Sequence, residues 1–568
     1  MKFFLIVILC SILFFNKFVF AKSIIDIQPN KLISTKEITS EKGKLTQFSL
    51  INLNADFNRW YILKYDQITE KKIDYFHFQN PDPDNQIIKL SNVKDFAIDI
   101  SVNGKVYTCE LTVDNLTNLS EKASKSLSAY EELCDNRIFL RIAINGRRSS
   151  KEAVASFLRK HIWGGEKITS IVKQTLFKDK FMLEVVGDHS SQTDKVGFPE
   201  KKGPQRAKID EKSSGRLIPM QMLGIPISDE NVKELKSGEW YPTKYDSSVY
   251  VSAIEPKSVA DEILKSYPER TSSLDSVESK AIAFLVAFDL EKFGIGFMVG
   301  TEHPSAEWST RVSSEVRDKD VGPDGFDSLL PIVGTGRLTK SHAQDIAATF
   351  TGGFKRSHSG FRHGHLSKVN NGSHYGFIEE GVILSTLQPE LATVIIDKNN
   401  NLSMKTWETK DNKELLPNIQ YARQNGVPII DGIDSKTSIP IPGSYVNQWG
   451  KGNWSGSIDS KERALRAGLC LSNYKGKKYL IYGYFSTATP SAMARVFQAY
   501  QCEYAMHLDM NALEHTYLAT YSFEHGEISV HNLIDGMKVL DRYHEGKVSP
   551  RFIGQSDNRD FFYLFHKN

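Results

Sequence analysis

Residues 504–511 read Tyr-Ala-Met-His-Leu-Asp-Met-Asn, and the two-residue period of a strand sorts them into two rows. Tyr504, Met506, Leu508 and Met510 form an apolar row; His507, Asp509 and Asn511 form a polar one. The polar row is either the wet face of an outer strand or the wall of a cleft. In a cleft its carboxylate could act as acid, base or nucleophile at a glycosidic or phosphate ester bond. Further back, Asp345-Ile-Ala-Ala-Thr-Phe350 reads as a buried strand running into Thr351-Gly352-Gly353-Phe354. Paired glycines let backbone amides approach a ligand closely and can form an anion nest, although they serve equally well as a plain turn. Lys355 and Arg356 follow, and Arg423, Asn425, Arg463 and Arg466 lie downstream with Trp449 and Trp454. Arginines offer forks to phosphate and exposed tryptophans offer stacking faces to sugars.

Four of the fifteen histidines, His358, His363, His365 and His374, crowd one Gly- and Ser-rich stretch. His363 and His365 would share a face of a strand, so a divalent metal there is one reading. It is the weaker one, because no HExxH or similar spacing accompanies them. No cofactor is otherwise implied.

Several elements must position these groups. Thr489 as N-cap and Pro490 at the first helical position open a helix over TPSAMARVFQAYQ, with Met493, Val496, Phe497 and Tyr500 on one face. It leads straight into the 504–511 strand. From residue 238 onward, long apolar strands alternate with loops, which predicts a sheet-rich α+β domain over 238–568. Residues 22–186 show shorter alternating strands, with Asn103-Gly104 as a hairpin signal and a helix over SSKEAVASFLRKH, so a smaller α+β module of unknown role is expected. Between the two, 187–237 is poor in apolar residues at its start and reads as a linker or long loop.

The first 21 residues carry an apolar run and end in Val19-Phe20-Ala21, a small-x-small cleavage pattern. The reading is a removed signal peptide, with Asn16 and Lys17 interrupting the run and no stable membrane span left afterwards. Its removal deletes Lys2 and Lys17, taking the formal charge from +3 to +1, which offers nothing to nucleic acid. Export to a bacterial periplasm or exterior suits disulfides, and sequence neighbours suggest Cys109 with Cys134 and Cys470 with Cys502.

Taken together and in chain order, Gly300-Thr301-Glu302 with Pro304, Phe350 to Phe354, Tyr375-Gly376, Gly381, the run Ala392 to Asp397, Trp407, Arg423-Gln424-Asn425, Arg466-Ala467-Gly468 and Ala505 to Asn511 resemble the phosphodiester glycosidase family. The resemblance spans about residues 238–525. It implies hydrolysis of a sugar-1-phosphodiester at the glycosidic carbon, with a carbohydrate or sugar-phosphate substrate. It also implies Gly352, Gly353, Arg423, Asn425, Arg466 and Asn511 as substrate or phosphate contacts and Asp509 as the catalytic carboxylate. Glu379, Glu380 and His507 are candidates for its partner. The competing reading is a non-catalytic envelope protein that binds phosphorylated glycans.

Overall fold

The computed structural model describes residues 22–39, 43–93, 95–148, 203–302, 326–343, 345–353, 376–448 and 460–567, with 150, 153–154 and 182–184. The four clustered histidines, Lys355, Arg356, Tyr375, Trp449, Trp454, the apolar N-terminal run and most of the expected helix over SSKEAVASFLRKH lie outside these residues.

The expected α+β class is corrected to mainly β: strand makes up 44% and helix 13% of the structure. The reason is local. Apolar runs are joined by tight turns such as Asn103-Gly104, both at positive φ, which fold the chain straight back on itself as antiparallel hairpins. Sustained helical periodicity produces only Val113–Ser126 and Pro490–Ala499 among the described elements longer than two turns. The former was not anticipated. The alternation through Thr108 and Glu110 ends there, and Thr112 caps the Asn115 amide to start a helix instead.

Three antiparallel sheets build the body. An eight-stranded sheet runs, in spatial order, 241–242, 249–254, 283–289, 477–488, 464–474, 502–510, 430–433 and 440–442. A five-stranded sheet orders 293–298, 561–566, 346–351, 518–524 and 527–532; another orders 382–385, 377–379, 419–424, 392–397 and 402–406. One large apolar core joins them and takes in Met506, Leu508 and Met510. On the other side of the eight-stranded sheet, the helix Pro490–Ala499 is buried all round, with Met493, Val496 and Phe497 in a second core. Thr489 accepts the Ala492 N–H, as its capping position requires.

The N-terminal residues form a six-stranded sheet, 32–39, 45–52, 60–67, 72–79, 138–141 and 130–133, beside a three-stranded one. One of its faces buries Phe48, Leu63, Phe76 and Leu140 in a core of its own with Leu116 of the first helix. Within 187–237, residues 217–219 pair with 234–236, and Ile218 and Leu235 join the large core. Disulfides link Cys109 to Cys134 and Cys470 to Cys502, which fits a protein of an oxidising compartment. Among the described residues no helix is long and apolar enough to cross a membrane.

Candidate functional site

Strand ends from all three sheets meet at one place. The strand Ile346–Thr351 pairs with Phe561–His566 through Thr351 and Phe561, so the next residues, Gly352 and Asp560, face each other, and the Gly352 N–H donates to the Asp560 carbonyl at 3.0 Å. The strand Ile419–Gln424 brings Arg423, whose Nε donates to the Asp560 carboxyl and whose guanidinium lies 4.3 Å from the Phe377 ring centroid. A methyl group on Gly353 would stand 2.7 Å from Arg423 Nη2, so only glycine lets the chain pass this close. Asn425 donates to the carbonyls of His507 and Leu508, tying this corner to the strand Cys502–Met510.

Asp509 is fully buried. Its Oδ2 accepts from Arg559 Nη1 and its Oδ1 from the Met510 N–H, both at 2.7 Å. Arg559 Nη2 also stands 2.8 Å from His515 Nε2, while His515 Nδ1 lies 2.6 Å from the Met510 carbonyl. The carbonyl can only accept, so the Nδ1 carries the proton and Nε2 takes the arginine's. Two carboxyls thus share one corner, each with its own arginine. Burial pushes the Asp560 carboxyl up to about 6 against the pull of Arg423, and the Asp509 charge adds to the rise.

Arg466 and His507 form an adjacent pair, Nη1 to Nε2 at 3.3 Å, and Arg466 Nε donates to the Ala488 carbonyl. Burial, with the Arg466 charge behind it, holds the His507 imidazole well below its usual range and therefore neutral. Burial likewise lowers the guanidinium of Arg466, to about 10. Asn511 turns the chain out of the strand at φ 80° and donates its N–H to the Leu465 carbonyl.

The structure therefore gathers Gly352, Gly353, Arg423, Asn425 and Asp509 at one corner, with Arg466, His507 and Asn511 alongside. Glu379 is not part of it. It sits two residues beyond the Phe377–Arg423 pairing, where it accepts from the Val299 N–H at 2.8 Å and faces Arg141 of the N-terminal sheet. Arg559, Asp560 and His515 complete the corner and were not anticipated from sequence. The only signal was the alternation of charge in Asp557-Asn-Arg-Asp560 just before the apolar run Phe561-Phe-Tyr-Leu-Phe565. Among the described residues no group of three or more His, Cys, Asp and Glu side chains is arranged to hold a metal ion.

No family model matches the chain, and no curated protein does. Among solved structures it is similar to the catalytic domain of zebrafish N-acetylglucosamine-1-phosphodiester alpha-N-acetylglucosaminidase, auto-inhibited by its pro-peptide, at 9% identity and a TM-score of 0.29, over 61% of this chain and 87% of that one. A Burkholderia pseudomallei protein described as exported aligns at 8% identity and a TM-score of 0.22, over 50% and 74%. A hypothetical protein from Synechocystis aligns at 8% and 0.20, over 94% and 99%. Likeness this distant says nothing of activity, which has to be argued from the side chains.

Proposed function

We propose that the chain is an exported hydrolase that cleaves the glycosidic bond of a sugar-1-phosphodiester, releasing a sugar and a phosphomonoester. The observation that carries this is the pair of buried carboxyls, Asp509 and Asp560, each held by its own arginine in a different electrostatic setting. Glycosidic cleavage needs one carboxyl that can give up a proton and another that meets the oxocarbenium-like transition state. Asp560, kept protonated up to about 6, suits the first role: its proton goes to the leaving phosphate oxygen. Asp509, opposite the Arg559 charge, suits the second, as nucleophile or as base for the attacking water. Arg423 with the Gly353 backbone, and Arg466 beside it, would hold the phosphate, while the Gly352 N–H, bonded to the Asp560 carbonyl, fixes the loop. His507, neutral and turned to Arg466, positions that arginine rather than carrying protons.

The domain boundaries follow the same reading: a glycosidase-like domain over 238–568, preceded by a separate N-terminal module over 22–186. One observation favours a non-catalytic alternative, binding of phosphorylated glycans: both oxygens of Asp509 are already engaged. Sugar release from a nucleotide-sugar or a synthetic sugar-1-phosphodiester, compared between wild type and Asp509→Asn, separates the two. Turnover lost in the variant supports the hydrolase; equal inertness with retained glycan binding supports the alternative.

A further inference from the structure

Just past the strand Ile138–Arg141 the chain leaves the N-terminal sheet and lies against residues 556–558 of the body. The Arg147 N–H donates to the Ser556 carbonyl at 3.0 Å and the Asn558 N–H to the Arg147 carbonyl at 3.2 Å, so the two runs pair in parallel. The Arg147 guanidinium reaches on to the carbonyls of Leu540 and Val539. Gly146 comes closer still. Its N–H donates to Thr301 Oγ1 at 3.0 Å, and a methyl group on it would stand 2.6 Å from the Asp557 carbonyl carbon and 2.7 Å from the Asn558 nitrogen. Both obstacles are backbone, so neither can swing aside, and only glycine fits.

The next two residues of that run are Arg559 and Asp560, the arginine that holds Asp509 and the carboxyl beside it. Asp557 sets the first of them: its Oδ1 accepts the Arg559 N–H at 3.0 Å while its Oδ2 accepts from Arg551 Nε at 2.7 Å. The N-terminal part also grips the support of the other arginine. Asn54 donates to the Gly381 carbonyl at 2.7 Å, Gln28 accepts the Ile383 N–H at 2.9 Å, and Arg59 stands 3.3 Å from Glu380. These contacts hold the hairpin of strands Phe377–Glu379 and Val382–Ser385, whose Phe377 ring lies against the Arg423 guanidinium. Two joints between the N-terminal part and the body thus fall on the elements that support the arginines of Asp509 and Asp560.

Taking Asp509 and Asp560 as the acting carboxyls proposed above, we infer that Gly146 and Arg147 are positioning residues of the hydrolase site. They fix Asp557-Asn558, and through them the placement of Arg559 and Asp560. Neither touches substrate. A displacement of about 1 Å at the reacting groups is enough to cost about a hundredfold in rate, so a contact two residues away in the chain is within reach of the chemistry. The N-terminal part, although it has a core of its own, serves the reaction by holding the corner in register.

The test is Gly146→Ala in the full chain, with steady-state kinetics on a synthetic sugar-1-phosphodiester and backbone hydrogen exchange read together. The added methyl group has to push the 557–558 backbone away. The expected result is a kcat lower by about tenfold to a hundredfold with KM changed less than about twofold, and an alkaline limb of kcat/KM displaced from its wild-type position. A loss of stability alone would move neither the kcat of the folded protein nor that limb. A folded variant with wild-type kcat and the wild-type limb overturns the inference. An inert wild type counts against the hydrolase reading instead, and exchange then decides: faster exchange across 556–560 and at the Gly352 amide in the variant supports the positioning contact, and unchanged exchange refutes it. Should Gly146→Ala not fold, Arg147→Ala, which keeps both backbone bonds and loses the grip on Leu540 and Val539, is read by the same measurements with the same outcomes.

Discussion

Replacing Asp560 by asparagine removes a titration while keeping an oxygen that can accept from Arg423. The wild-type carboxyl moves from 3.8 to about 6 on folding. At about 1.36 kcal/mol per pKa unit, that shift is worth about 3 kcal/mol in favour of the protonated form. The sign follows from linkage. The folded state holds the proton more tightly, so this contribution to stability is fully present below about pH 3.8 and is lost as pH rises through about 6. Asparagine has no proton to lose. Denaturant unfolding of both proteins from about pH 4 to about pH 7 should therefore show Asp560→Asn gaining on wild type by up to about 3 kcal/mol, on top of a constant offset. Glu379, raised to about 8, gives both proteins the same further decline and cancels in the difference. Activity should follow the same group: wild-type kcat/KM falls on the alkaline side with an apparent pKa near 6, and the variant is slow and lacks that limb. Parallel stability curves would refute the electrostatic assignment, and an unaltered alkaline limb in the variant would refute the role of Asp560 as acid.

Arg559→Lys keeps a charge but loses the fork that reaches both Asp509 and His515, so kcat should drop about tenfold to a hundredfold, read in steady-state kinetics against a circular-dichroism check of folding. Gly353→Ala drives a methyl group against Arg423 Nη2 and should cost about 1–3 kcal/mol in chemical denaturation, with weaker substrate binding seen as a raised KM. Breaking the Cys470–Cys502 bridge with serines frees a loop of 32 residues in the unfolded chain and should lower stability by about 4 kcal/mol on the chain-entropy account, measured as a fall in the denaturation midpoint.

Local patterns in the sequence carried well into the structure. The two rows of 504–510 separate as expected, Met506, Leu508 and Met510 into the large core. His507 and Asp509 of the polar row are buried rather than wet, because the helix Pro490–Ala499 covers that side of the sheet and Arg559 reaches in to meet Asp509, while Asn511 at the strand's end is half-buried. Thr489-Pro490 opens its helix and Asn103-Gly104 turns its hairpin, since both depend on neighbours a few residues away. What escaped is long-range. Arg559 and Asp560 lie about fifty residues past Asp509, in a charged run indistinguishable by composition from a surface loop, and only sheet pairing opposite Gly352 brings them inward. Glu379 misled for the converse reason: a few residues past Tyr375-Gly376 in sequence, its side chain accepts from the Val299 N–H and faces Arg141 of the N-terminal sheet. The α+β class erred in proportion only: the apolar runs read as strands are strands, closed by hairpin turns, and only Val113–Ser126 and Pro490–Ala499 among the described elements are helices longer than two turns.

Which bond breaks is the most direct test of the proposed chemistry. Turnover of a sugar-1-phosphodiester in water enriched in oxygen-18, with mass spectrometry of the phosphomonoester, reads it out. Attack at the glycosidic carbon, assisted by Asp509 and Asp560, leaves the phosphomonoester unlabelled. Label in the phosphomonoester would mean cleavage at phosphorus and would contradict the glycosidase account.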